Sequence, residues 1–210
     1  YSKQNLQGSL LFTDVIDSAD VVNLMTATQD GNALPIIFKK KSKYKWNFTV
    51  EDILRKDKRT SLDLVWNGAE AGIENEGSKA IKIPSINEFV VLDVEVNHSP
   101  QQYVKIHFSD PLNTSQLFDG LIYLDDHDAT MVVDDQVVIL YPNERITGSE
   151  TVNIDLGVEN SKGEKMTSME SFKIYFDDIA PEVELIGEGN IVPRSGDSHF
   201  PFKAVNLSAV

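Results

Sequence analysis

The residues with the clearest chemical potential are four histidines, His98, His107, His127 and His199. Imidazole can act as base, acid or metal ligand near neutral pH. None of the four stands beside a second His or a Glu at the spacing that sets two ligands on one helix face. His107 falls on the outward phase of an alternating stretch. A catalytic base also needs a positioned nucleophile within reach. Ser195, in Pro193-Arg-Ser-Gly-Asp197, is not a Gly-x-Ser-x-Gly elbow, and no strand–turn–helix pattern surrounds it. These residues are expected to be solvated surface and loop positions, and no catalytic residue is assigned.

Oxygen ligands cluster at Asp125-Asp-His-Asp128, at Asp134-Asp135 and at Asp177-Asp178. Calcium takes about six to eight oxygens, often from carboxylates. The chain has no Asp-x-Asp-x-Asp-Gly loop, however, and turns favour Asp for its local hydrogen bonds. The expectation is turns and strand ends, with no metal ligand, no cofactor-binding residue and no cofactor. Lys39-Lys-Lys41, with Lys43 and Lys45, adjoins Tyr44 and Trp46. The aromatics share one strand face, and the lysines lie mostly on a turn and the opposite face. A solvated hairpin tip is expected, with lysines that protect an edge strand.

Cysteine is absent, which removes disulfides, thiolate metal sites, cysteine nucleophiles and any cysteine thioester from these residues. A net charge of -14 is unevenly spread. Residues 1–84 hold 12 Lys and Arg against 11 Asp and Glu, whereas residues 85–210 hold 7 against 22. The acidic half would repel a phosphate backbone, so nucleic acid is not an expected partner. No apolar run approaches the ~20 residues of a spanning helix, and no membrane contact is expected of these residues. No basic segment followed by an apolar core opens the chain. Its abrupt ends suggest a piece of something longer.

Period-2 alternation, the mark of half-buried strands, recurs throughout. Tyr44, Trp46, Phe48 and Val50 form one apolar face, Leu62, Leu64 and Trp66 another, and Ile81 with Ile83 a third. Gly8–Thr13 and Leu34–Phe38 read as further strands. The second half is cleaner. Leu92, Val94, Val96; Val104, Ile106, Phe108; Val152, Ile154, Leu156; and Phe172, Ile174, Phe176 each alternate with polar residues. Met131–Val133 and Gln136–Tyr141 flank Asp134-Asp135 at hairpin spacing. Asn67-Gly68 and Ser161-Lys-Gly163 add turn chemistry. One stretch differs: Val21, Leu24 and Met25 within Ser18–Ala27 have helical spacing, which predicts a short helix capped by Asp17 or Ser18. The turn Gln29-Asp-Gly-Asn32 follows it.

Strands of about six residues at roughly 8–12-residue spacing indicate an all-β chain of sandwiches rather than α/β units. The expected divisions are a sandwich over 1–84 carrying one short helix, a second over 85–178, and 179–210 as the incomplete start of a third. In that last segment Val183–Ile186 and Phe200–Leu207 look strand-like.

Val104-Lys-Ile-His-Phe-Ser-Asp-Pro-Leu112, followed by Leu117-Phe-Asp-Gly-Leu-Ile122, resembles the N-terminal macroglobulin-like domains of bacterial alpha-2-macroglobulins. Gly187-Glu-Gly-Asn-Ile-Val-Pro193 with Phe200-Pro-Phe-Lys-Ala-Val-Asn-Leu207 resembles the phrase that opens the next such domain. Phe48–Arg55, Leu64–Gly68 and Ile83–Phe89 are similar to the domain before it. The resemblance implies tandem immunoglobulin-like macroglobulin sandwiches within a large protease trap. In that family a protease cuts a bait region, the molecule rearranges, and many members capture the protease through a Cys-x-Glu-Gln thioester. Neither part is recognisable here.

The implied role is therefore a non-catalytic scaffold. Host or foreign proteases would be partners only of the full-length protein, and other macroglobulin domains would be partners within it. The implied location is extracytoplasmic and periplasmic, with a lipoprotein anchor on the full-length protein. In a bacterial chain the glycosylation sequons at Asn47, Asn113 and Asn206 carry little weight. A different function is a surface adhesion or ligand-binding module. Asp177-Asp-Ile-Ala-Pro181 is similar to the acidic, proline-ended linkers of calcium-stiffened cadherin repeats, and calcium at that joint would mark such a module.

Overall fold

In the computed structural model, residues 2–69, 72–178, 182–185 and 202–205 are described, the last two stretches as backbone. The chain is all-β and divides into two compact units, Tyr1–Val90 and Val91–Val210.

The first unit contains β1 (Lys3–Leu11), α1 (Ser18–Val21), β2 (Met25–Gln29), β3 (Asn32–Leu34), β4 (Ile36–Lys40), β5 (Lys45–Leu54), β6 (Thr60–Asn67) and β7 (Glu76–Ile83). They form two antiparallel sheets, ordered β1-β5-β4 and β3-β2-β6-β7. Met25, Ala27, Leu62, Leu64 and Ile83 of one sheet pack with Phe48, Val50 and Ile53 of the other in a single core. The alternation in β5 buries Trp46, Phe48 and Val50 as the spacing requires. Tyr44 lies outside the strand and is exposed. Beyond Val50 the phase breaks. Asp52 has φ 59°, the pairing with β1 shifts register between Gln4 and Leu6, and Ile53 returns to the core. This is a bulge: one extra residue re-aims the strand end inward.

The helix is a single turn, Ser18–Val21, and Asp17 makes no side-chain capping bond. Met25 already belongs to β2, where it and Ala27 face the core. Met25 and Ala27 therefore follow strand alternation and pairing with β6, and the helical spacing ends at Leu24. Val21 and Leu24 pack with Ile16 and Trp46 in a separate cluster. The next turn forms as its residues suggest. Asp30 (φ 51°) and Gly31 (φ 79°) join β2 to β3 with Gln29 opposite Asn32, the geometry of a two-residue hairpin.

The first unit runs past the charge break at residue 84. Arg55, almost wholly buried, donates to the Ser85 carbonyl (2.6 Å) and the Glu88 carbonyl (2.7 Å), fastening that segment.

The second unit contains β8 (Val91–Asn97), β9 (Tyr103–Phe108), β10 (Ile122–Leu124), β11 (Ala129–Asp134), β12 (Val137–Pro142), β13 (Gly148–Ile154) and β14 (Glu170–Phe176). Its antiparallel sheets are ordered β11-β12-β9-β8 and β10-β13-β14. Val104, Ile106, Phe108, Val138 and Leu140 are buried from the first, and Ile122, Leu124, Val152, Ile154, Ile174 and Phe176 from the second. Two positions depart from the expected alternation. Leu92 is exposed beside a register shift between Val91 and Asp93, and Leu156, beyond the end of β13, is exposed. β15 (Glu182–Leu185) and β16 (Phe202–Val205) pair antiparallel. Ser195, His199, Asn206 and Ile179–Pro181 lie outside the described residues.

Candidate functional site

The three described histidines each have a carboxylate neighbour. His98 accepts the Asp177 N–H on Nδ1 (3.1 Å), places Nε2 3.6 Å from Asp177 Oδ2, and meets Phe176 edge-on. Asp177 thus ties the end of β14 to the residue after β8. His107 Nε2 lies 3.9 Å from Glu95 and has no hydrogen-bond partner. Burial, with Lys105 adding to it, holds His107 below the ordinary imidazole value. His107 is therefore less solvated than its outward phase suggests.

His127 Nδ1 bonds Glu150 Oε2 at 2.5 Å. Glu150 is buried on the same face of β13 as Val152 and Ile154. Burial pushes its carboxyl up. The His127 bond and the Thr151 and Asp126 amides outweigh that and hold it below the usual carboxylate value.

Within Asp125–Asp128, the Asp125 carboxylate and the Asp128 backbone make local contacts. Asp125 Oδ1 accepts from Asn153 Nδ2 (2.6 Å), whose own Oδ1 accepts from Ser171 (2.6 Å), and the Asp128 carbonyl accepts the Asn143 N–H. Asp134 ends β11, and Asp135, at φ 52°, turns the chain into β12. Among the described residues no group of three His, Asp or Glu side chains converges as metal ligands would. The lysine run forms the β4–β5 hairpin tip. Lys41 and Ser42 donate backbone bonds to the Lys45 carbonyl, and Lys40 Nζ sits 5.4 Å from the Trp46 ring centre.

Phe108-Ser-Asp-Pro-Leu112 closes β9 and is buried at Phe108, Ser109, Asp110 and Leu112. Asp110 accepts from Ser109 Oγ (2.8 Å) and from Lys162 Nζ (3.2 Å). The nearby Gln116 side chain brackets the β13–β14 connection, donating to the Gly157 carbonyl and accepting the Glu159 N–H.

A concave feature lies in the first unit. A cavity of about 440 Å³ is lined by residues of β1, β2, β5, β6, β7 and the loops beside them, among them Leu6, Leu10, Phe12, Leu24 and Ile81. The lining is apolar except for Gln7, Asn75 and Lys79. β1 and β7 are edge strands of their sheets, and each carries a glycine beneath an aromatic ring. A Cβ on Gly8 would meet the Phe48 ring at 2.4 Å, and one on Gly77 would meet the Trp66 indole at 2.6 Å. Trp66 Nε1 donates to Asn75 Oδ1 (3.0 Å), which fixes the indole. Lys79 stands directly opposite Leu64 in the β6–β7 pairing and so projects from the same side of the sheet, but it is itself exposed. Sequence reasoning passed over this place. The signals were a glycine inside each of two strands and a lysine in phase with Ile81 and Ile83.

No protein-family model matches this chain, and no curated protein matches it at a significant level.

Proposed function

We propose that this chain is a non-catalytic part of the scaffold of a bacterial alpha-2-macroglobulin-like protease trap. It would comprise two consecutive immunoglobulin-like macroglobulin sandwiches and the start of a third. The observation that carries the reading is the burial of Phe108-Ser-Asp-Pro-Leu112, the phrase most similar to that family. Its aspartate is fixed by Lys162 from the β13–β14 connection, so the phrase does architectural work. The arrangement of one four-stranded and one three-stranded antiparallel sheet in each unit also supports it. Among the described residues, histidines paired with structural carboxylates favour a scaffold over a hydrolase.

In this reading the full-length protein is extracytoplasmic, periplasmic and anchored as a lipoprotein. It engages host or foreign proteases, and these units contact other macroglobulin domains of their own chain. The test uses the full-length gene product with trypsin. A trap leaves cleavage of a small chromogenic amide intact while shielding the protease from a protein-sized substrate. The 210-residue chain alone is expected to leave cleavage of both substrates unchanged. Unimpeded digestion of the large substrate by trypsin with the full-length product overturns the proposal, and so does stoichiometric inhibition by the chain alone.

A further inference from the structure

The cavity of the first unit has three properties that together define a ligand. Its volume, about 440 Å³, lies within the ~300–1,000 Å³ typical of small-molecule sites. Its lining is dominated by aliphatic and aromatic side chains, so the occupant is mostly hydrocarbon. Its single charged lining residue is Lys79, which has no ion pair among the described residues. Lys79 is exposed although its neighbours on the lining are apolar, so its ammonium keeps contact with water. It is the one place on the lining where an anionic group would gain a charge-assisted bond. We propose that the first unit binds a single-chain carboxylate amphiphile, a fatty acid, with its tail between the edges of β1 and β7 and its carboxylate on Lys79.

An extended peptide added to the sheet edge is the competing occupant. The lysine on edge strand β7 opposes it, because charged side chains, lysine above all, are a device by which edge strands avoid pairing. Gly8 and Gly77 leave room over bare backbone for the rings of Phe48 and Trp66, which form part of the lining.

The test is calorimetric titration of the 210-residue chain with dodecanoate below its micellar concentration, with dodecyltrimethylammonium as the matched cation of equal chain length. The expected result is saturable 1:1 binding of dodecanoate, with the cation weaker by ~10-fold or more. Lys79→Glu, checked for an unchanged far-ultraviolet spectrum, should invert that order. Lys79→Met should bring the two ligands to similar affinities. Equal affinity of the wild-type chain for both ligands overturns the proposal. So does absence of saturable binding, or an order left unchanged by Lys79→Glu. Displacement of bound 1-anilinonaphthalene-8-sulfonate by an alternating valine–threonine decapeptide, but not by dodecanoate, assigns the cavity to strand addition instead.

Discussion

The side chain of Gln102 pairs with the backbone of Ile146 as a neighbouring strand would: Nε2 donates to the Ile146 carbonyl and Oε1 accepts the Ile146 N–H, each at 2.8 Å. Gln29 does the same for Leu54 in the first unit, at 2.7 and 3.0 Å. Both glutamines are buried. Each satisfies a donor and an acceptor that no ladder reaches. Gln102→Leu should therefore cost ~2–6 kcal/mol, since two buried backbone groups lose their partners at ~1–3 kcal/mol each. Denaturant titration measures it. A loss under ~1 kcal/mol would mean that water or a shifted loop replaces the amide.

Phe108 is fully buried at the end of β9, in phase with Val104 and Ile106. Phe108→Ala is expected to cost ~3–5 kcal/mol. Truncating Leu92, 39% exposed, should cost less, because part of its side chain already sits in water. Comparable losses at the two sites would show that the face is misassigned.

Glu150 gives a pH signature. Its folded carboxyl is held below the ordinary value, so it contributes stability above the unfolded value of ~4.3. That contribution is lost as pH falls through the lower folded value. The stability gap between wild type and Glu150→Gln should be widest above about pH 5 and close progressively below ~4. Urea midpoints from pH 3 to 7 provide the measurement. A gap that stays constant over that range contradicts the assignment.

The end of β14 separates a trap scaffold from a calcium-stiffened module. Asp177 here engages His98 through both its amide and its carboxylate. Calcium at ~100 times its dissociation constant would stabilise a binding-competent fold by ~2.7 kcal/mol, several degrees in melting temperature. No calcium-specific rise is expected at millimolar concentration, with magnesium as the control for screening of the net charge of -14. A rise with calcium alone, abolished by Asp177→Ala, would favour the adhesion module.

Strands were legible where one face is buried along their whole length. Leu62 and Leu64, and Val104 through Phe108, alternate because burial on one side and water on the other select residues two apart. The phase breaks at Asp52 and Leu92 were not legible, because a bulge depends on what the partner strand does. Ser18–Ala27 misled for a related reason. Three apolar residues at helical spacing can also be one helical turn entering a strand, and pairing with β6 decides at Met25. The cavity was hidden more deeply. Gly8 and Gly77 are far apart in sequence, and each matters only through the ring above it.

The contact between His98 and Asp177 has a consequence for force. It places the C-terminal end of β14 beside the end of β8 that lies farthest from Val91, where the unit's chain enters. Tension applied at Val91 and at Asp177 is therefore directed along β8 rather than across it. The rungs between β8 and β9 run perpendicular to the strands. They would be loaded together, in shear, and would resist as a set rather than opening one after another like a zip. A stretch built this way passes a pull from Val91 to Asp177 with little extension.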